Sequence, residues 1–140
     1  MTTIAVRPAP TGRPAYESRQ LLPCPESAGA ARHLVLQAAA LWQLNSIAED
    51  AALVASELVA NAVEHSENGT VFFKVSRPSE FAIRVLVSDK CLERPVLRKA
   101  GLEDERGRGL LLVDLLSTRW GVELTRWGKK IWADLEVSCG

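Results

Sequence analysis

The chain has little of what marks many functional classes. Its three cysteines, Cys24, Cys91 and Cys139, stand far apart. An odd number with no CxxC pair excludes a disulfide framework, and free thiols fit a reducing compartment. Net charge is absent as well, because 17 Lys and Arg offset 17 Asp and Glu. No electrostatic footprint therefore argues for nucleic acid or an anionic membrane as partner. No apolar run approaches the ~20 residues that a membrane-spanning helix needs. The N-terminus, MTTIAVRPAPTGRPAYES, has no basic segment followed by an apolar one and is not expected to be a signal peptide. One of only two histidines, His65, lacks His, Cys or acidic partners at metal-ligand spacing, so a zinc site is not expected. Together these absences predict a cytoplasmic protein with no direct contact to nucleic acid or membrane.

What is present is material for a core. A chain of 140 residues fits one domain, and an apolar fraction of 47% is too high for a disordered one. Residues 1–17 hold Pro8, Pro10, Pro14 and Gly12 without periodicity and read as a flexible tail, leaving 18–140 as the domain. Ser18 to Cys24 reads as a short edge strand. Ala30, Leu34, Ala38 and Leu41 recur at helical spacing in a helix from about Ser27 to Leu44. A second helix runs to His65, with Ser46 and Glu49 in a capping-box pattern at its start. Thr70–Ser76 and Phe81–Val87 alternate as strands around a turn at Arg77-Pro78-Ser79-Glu80. Residues 88–106 are irregular and broken by Pro95, a length that is often functional. A short apolar helix follows from Leu110 to Leu116. Trp120–Thr125 and Lys130–Val137 form a hairpin turning at Trp127-Gly128-Lys129. The expected class is α+β: a two-layer sandwich with a mainly antiparallel mixed sheet, covered on one face by about three helices.

Three features carry chemistry. The first is Glu57 and Asn61, one turn apart on the otherwise apolar helix AALVASELVANAVEH. Ser46, Asp50, Glu57, Asn61, Glu64 and His65 share one stripe at the 3.6-residue period. Such a stripe is either a solvated helix edge or a site for Mg²⁺ and phosphate. In a site, Asn suits a hard cation and Glu a general base. The second is Asp89, where a strand enters a loop; it can accept from a ligand amine or simply bond its own turn. The third is Glu105-Arg106-Gly107-Arg108-Gly109-Leu110 ahead of a helix. Its glycines let backbone N–H groups approach an anion, and Arg106 or Arg108 can pair with phosphate oxygens. Without a ligand, the same stretch is a glycine-rich entry turn. The four tryptophans, Trp42, Trp120, Trp127 and Trp132, read as packing, since no basic groove accompanies them.

In this order the features resemble a known arrangement. SELVANAVEH is similar to the N box of the Bergerat-fold ATP-binding superfamily, which includes histidine kinases, gyrase, Hsp90 and MutL. VSDKCLERP sits where that superfamily has its first glycine box, and ERGRGLLLVDLLSTRWG resembles its second. The ending WGKKIWADLEV looks most like the anti-sigma-factor serine/threonine kinase branch, in particular its small stand-alone actinobacterial regulators. The resemblance covers about residues 18–137.

The resemblance implies ATP and Mg²⁺ as cofactors. Asn61 matches the asparagine that ligates Mg²⁺, and Glu57 the general base toward a protein Ser or Thr hydroxyl. Asp89 matches the aspartate that accepts from the adenine amino group. Gly107, Arg108, Gly109 and Leu110 fall in the phosphate box beside Arg106. The implied partners are a sigma factor and an antagonist protein whose serine is phosphorylated, with a homodimer possible. One departure stands out. The usual Asp-x-Gly reads Asp89-Lys90-Cys91 here, which puts a side chain at the expected adenine edge. Cys91 thus favours an alternative: a protein-binding module of the same fold with weakened nucleotide binding. A simple ATPase without a protein acceptor is a third reading.

Overall fold

In the computed structural model, the described residues are 5–8, 14–65, 70–90, 107–124 and 128–138. The elements run β1 (Ala5–Pro8), β2 (Pro14–Leu21), α1 (Glu26–Trp42), α2 (Ala48–His65), β3 (Val71–Ser76) and β4 (Ala82–Lys90). They continue with α3 (Gly107–Leu116), β5 (Arg119–Leu124) and β6 (Gly128–Glu136). The six strands form one sheet in the order β1-β2-β3-β4-β6-β5. Every pairing among them is antiparallel. The helices supply the second layer, so the chain forms the expected α+β sandwich, although the sheet among the described residues is wholly antiparallel rather than mixed.

Alternation decides which face the helices cover. Val71, Phe73 and Val75 on β3 and Ile83, Val85 and Val87 on β4 are buried. Successive strand residues point to opposite faces, so these six share the covered side. Val75 pairs with Val85 and Phe73 with Val87, which knits them into one apolar floor. From above, α2 contributes Ala51, Val54, Ala55, Leu58 and Val59, and α1 contributes Leu34, Val35, Ala38 and Trp42. Each large buried side chain of this kind stabilises the fold by about 1.5–3 kcal/mol. Helix α1 closes at Gln43, whose backbone is left-handed (φ 60°) and whose N–H bonds back to Ala39 and Ala40.

The open face is held differently. Asp134 on β6 is almost fully buried and accepts from Arg84 Nε at 2.6 Å and Arg84 Nη2 at 2.9 Å. It also accepts from Arg119 Nη1 at 3.3 Å, and Glu136 accepts from Arg119 Nη2 at 2.9 Å. Hydrogen bonding to Asp134 pushes the Arg84 guanidinium above its ordinary value, so Arg84 stays charged at every accessible pH. The network staples β5, at the sheet edge, to β6 and β4. Beside it the Trp132 ring lies under Arg84, 5.1 Å from guanidinium to ring centre. The ring also packs on Gly121, where a Cβ would come within 3.0 Å of it.

Several boundaries differ from the sequence reading. The strand expected at Ser18–Cys24 is Pro14–Leu21, and it is not at the edge, because Ala5–Pro8 pairs outside it. Parts of the stretch read as a tail thus lie in the sheet. The prolines explain the misreading: Pro8 ends one strand and Pro14 begins the next, positions a sheet tolerates. The capping box does not form. Ser46 sits inside a 3₁₀ turn, Asn45–Ile47, that runs into α2, and Glu49 instead reaches Arg32 on α1 at 3.4 Å. Strand β4 continues through Ser88 and Asp89 to Lys90. Gly128 and Lys129, expected in the hairpin turn, are paired strand residues, and Trp127 lies outside the described residues.

Candidate functional site

Chain direction brings the three sequence features to one end of the sandwich. Asp89 pairs with Val71 on β3 and with Lys129 on β6, near one end of the sheet. Helix α2 enters that same end, since four residues separate His65 from Thr70, just before Val71. The second half of α2, with Glu57 and Asn61, therefore lies toward Asp89. Helix α3 finishes at Leu116 and passes through Ser117 and Thr118 to Arg119, opposite Asp134 at the other end of the sheet. Ten helical residues span about 15 Å, so α3 carries its first turn, Gly107–Leu110, back toward the Asp89 end. It packs against α2 and β5 on the way.

The side chains differ in environment. Asp89 keeps step with Ile83, Val85 and Val87, which places it on the helix-covered face, half-buried and hydrogen-bonded or paired within the protein. The stripe on α2 splits in two. Asp50 and Glu64 are exposed and Glu57 is half-buried, whereas Asn61 is 8% exposed. The wet-edge reading thus holds for Asp50 and Glu64 and fails at Asn61. Its Nδ2 is buried with no partner among the described residues. Burying an amide donor unmet costs about 1–3 kcal/mol, so the group calls for an acceptor beyond the described residues: a water, another part of the chain or a ligand. A ligand rich in oxygen relieves it: Oδ1 suits a hard cation and Nδ2 suits a phosphate oxygen.

The glycine box differs from expectation in one respect. Gly107, Arg108 and Gly109 were read as a turn ahead of a helix starting at Leu110; they form the first turn of α3 itself. Their backbone N–H groups are then among the four that a helix leaves without internal partners, which is the arrangement that attracts anions. Leu110 follows half-buried against the core. Cys91 and Arg106 lie outside the described residues.

One contact at this helix was not foreseen. Trp120 Nε1 donates to Asp114 Oδ1 at 2.8 Å, tying β5 to α3. A signal was present: an aspartate in the last turn of a helix opposes the helix dipole and needs a reason to be there.

With this geometry in place, comparison with known proteins identifies the family. The sequence profile of the histidine kinase-like ATPase domain matches residues 22–134. The chain belongs to that family, and ATP, usually with Mg²⁺, is the ligand such a domain implies. No curated protein matches the chain. Eight chains of solved structures do. One is the histidine kinase domain from Erythrobacter litoralis EL346 blue-light activated histidine kinase, at 24% identity and a TM-score of 0.46. The match covers 64% of this chain and 44% of that one, so the chain spans less than half of that structure's length. Among the described residues, no helix is long and apolar enough to cross a membrane.

Proposed function

We propose that the protein is a cytoplasmic ATP-dependent serine/threonine kinase that also sequesters a sigma factor. The acceptor is a Ser or Thr of a small antagonist protein. The observation that carries the reading is Asn61, whose buried Nδ2 has no partner among the described residues, on the half of α2 that lies toward Asp89. Asn61 Oδ1 holds Mg²⁺, and Asp89 accepts from the adenine amino group. The free N–H groups of Gly107, Arg108 and Gly109 hold phosphate oxygens, joined by the side chains of Arg106 and Arg108. Glu57, half-buried one turn before Asn61, would take the proton from the acceptor hydroxyl as its oxygen bonds to the terminal phosphorus, while the bond from that phosphorus to the bridging oxygen breaks and ADP leaves. Mg²⁺, when bound, neutralises the charge on the transferring group.

Affinity capture from the native cell with and without ATP identifies the acceptor, and phosphate transfer to it is then followed directly. Glu57→Ala should bind ATP with little change in affinity and lose transfer by about 10²–10⁴-fold. A Glu57→Ala protein that still phosphorylates the acceptor removes Glu57 from the base role.

Cys91 supports a second reading, a partner-binding module in which the side chain replacing glycine weakens nucleotide binding. Cys91→Gly distinguishes the two: a large gain in ATP affinity favours the module, and an unchanged affinity favours the kinase.

A further inference from the structure

Helix α3 is thinly packed for an element that carries a binding turn. Val113 is its one fully buried side chain among those described, while Leu110, Leu112 and Leu116 are half-buried. Leu111 and Leu115 stand 59% and 71% exposed on the opposite side. Its C-terminal end is well fixed. The Ser117 N–H bonds to Val113 O at 2.9 Å, the Thr118 N–H bonds to Asp134 O at 2.7 Å, and the Glu136 N–H bonds to Thr118 Oγ1 at 3.0 Å. Among the described residues, a polar contact also ties the body of the helix to the sheet: the hydrogen bond from Trp120 Nε1 to Oδ1 of the exposed Asp114.

Asp114 is badly placed for helix stability. Aspartate is a poor helix former in the interior, and near the C-terminus its charge meets the negative end of the dipole. Trp120 is half-buried on the edge strand, with its N–H turned up toward the helix rather than toward solvent. A charged acceptor makes this bond stronger than a neutral pair would.

We propose that Trp120 and Asp114 are a positioning pair that sets how α3 lies on β5, and thereby where Gly107, Arg108 and Gly109 meet the phosphates. The inference rests on the nucleotide site described above. Neither residue touches the nucleotide; they act through the axis of α3. A rigid helix transmits a mid-helix restraint to its first turn, because each N–H bonds to the carbonyl four residues earlier.

Three variants test it. Trp120→Phe keeps an aromatic body and loses the donor. Asp114→Ala loses the acceptor while improving helix propensity, and Asp114→Asn keeps an Oδ1 acceptor. In the unliganded full chain, amide hydrogen exchange at Leu111, Leu112 and Val113 reports the bonds to Gly107, Arg108 and Gly109. It should quicken about three- to tenfold in Trp120→Phe and Asp114→Ala. Asp114→Asn, which keeps a neutral acceptor, should fall between the wild type and Asp114→Ala. The Kd for Mg·ATP should rise about three- to tenfold in the first two variants. The Kd for adenosine, which lacks phosphates, should not move. A loose structure would instead weaken both ligands alike, and that outcome overturns the proposal. So does unchanged exchange in both donor- and acceptor-loss variants. If the wild type binds no Mg·ATP, the nucleotide reading falls, and the exchange measurement still decides whether the pair positions the helix turn.

Discussion

Asn61 and Glu57 sit four positions apart on one helix and have different fates. Asn61 is turned into the protein and Glu57 remains at its edge. The sequence pattern carried both as one polar stripe, and no rule of periodicity separates them, because burial depends on which elements pack against each side of α2. The Nδ2 of Asn61 has no partner among the described residues, and an unmet buried donor costs stability. Asn61→Leu keeps the branching and the number of side-chain heavy atoms without a buried donor. It should raise the unfolding free energy of the ligand-free protein by about 1–3 kcal/mol in urea titration. Equal or lower stability would mean that the amide is already satisfied. Stability gained where function is lost is the usual signature of a binding residue.

Among the elements, β3 and β4 were the most legible, because strict alternation of Val71, Phe73, Val75 and of Ile83, Val85, Val87 fixes both strand and face. The N-terminal strands were not: β1 and β2 are bounded by prolines, and their pairing is a property of the sheet edge rather than of local sequence. Helix α3 began three residues earlier than its apolar pattern, since Gly107 and Gly109 are poor helix formers that the tertiary structure nevertheless holds in a helical turn. The charged staple on the open face was also hidden, because Arg84, Arg119 and Asp134 are 50 and 15 residues apart in the pairs they form. Asp134→Ala removes the acceptor shared by both arginines and loosens β5. A loss of about 2–3 kcal/mol in urea unfolding is expected. It stays below the roughly 3–5 kcal/mol of a fully buried broken pair, because both arginines keep contact with water. A loss under about 0.5 kcal/mol, the size of an ordinary surface change, would show that β5 is held by its backbone ladder alone.

For the whole molecule, the site is a consequence of chain direction. Helix α2 runs toward the Asp89 end of the sheet, and α3 runs away from it. Asn61, Asp89 and Gly107–Gly109, proposed above to share one nucleotide site, are far apart in sequence, and only that arrangement of helix directions turns them toward one end of the sheet. Their order was legible as a resemblance, and the family match over residues 22–134 agrees with it. Their convergence needed the sheet order. Calorimetric titration with Mg·ATP tests the central claim most directly, comparing the wild type with Asn61→Ala. Saturable one-to-one binding by the wild type, weakened by at least tenfold in a folded Asn61→Ala protein, is the predicted result. Binding of equal strength in both proteins, or no binding by either, would contradict a Mg·ATP site built around Asn61.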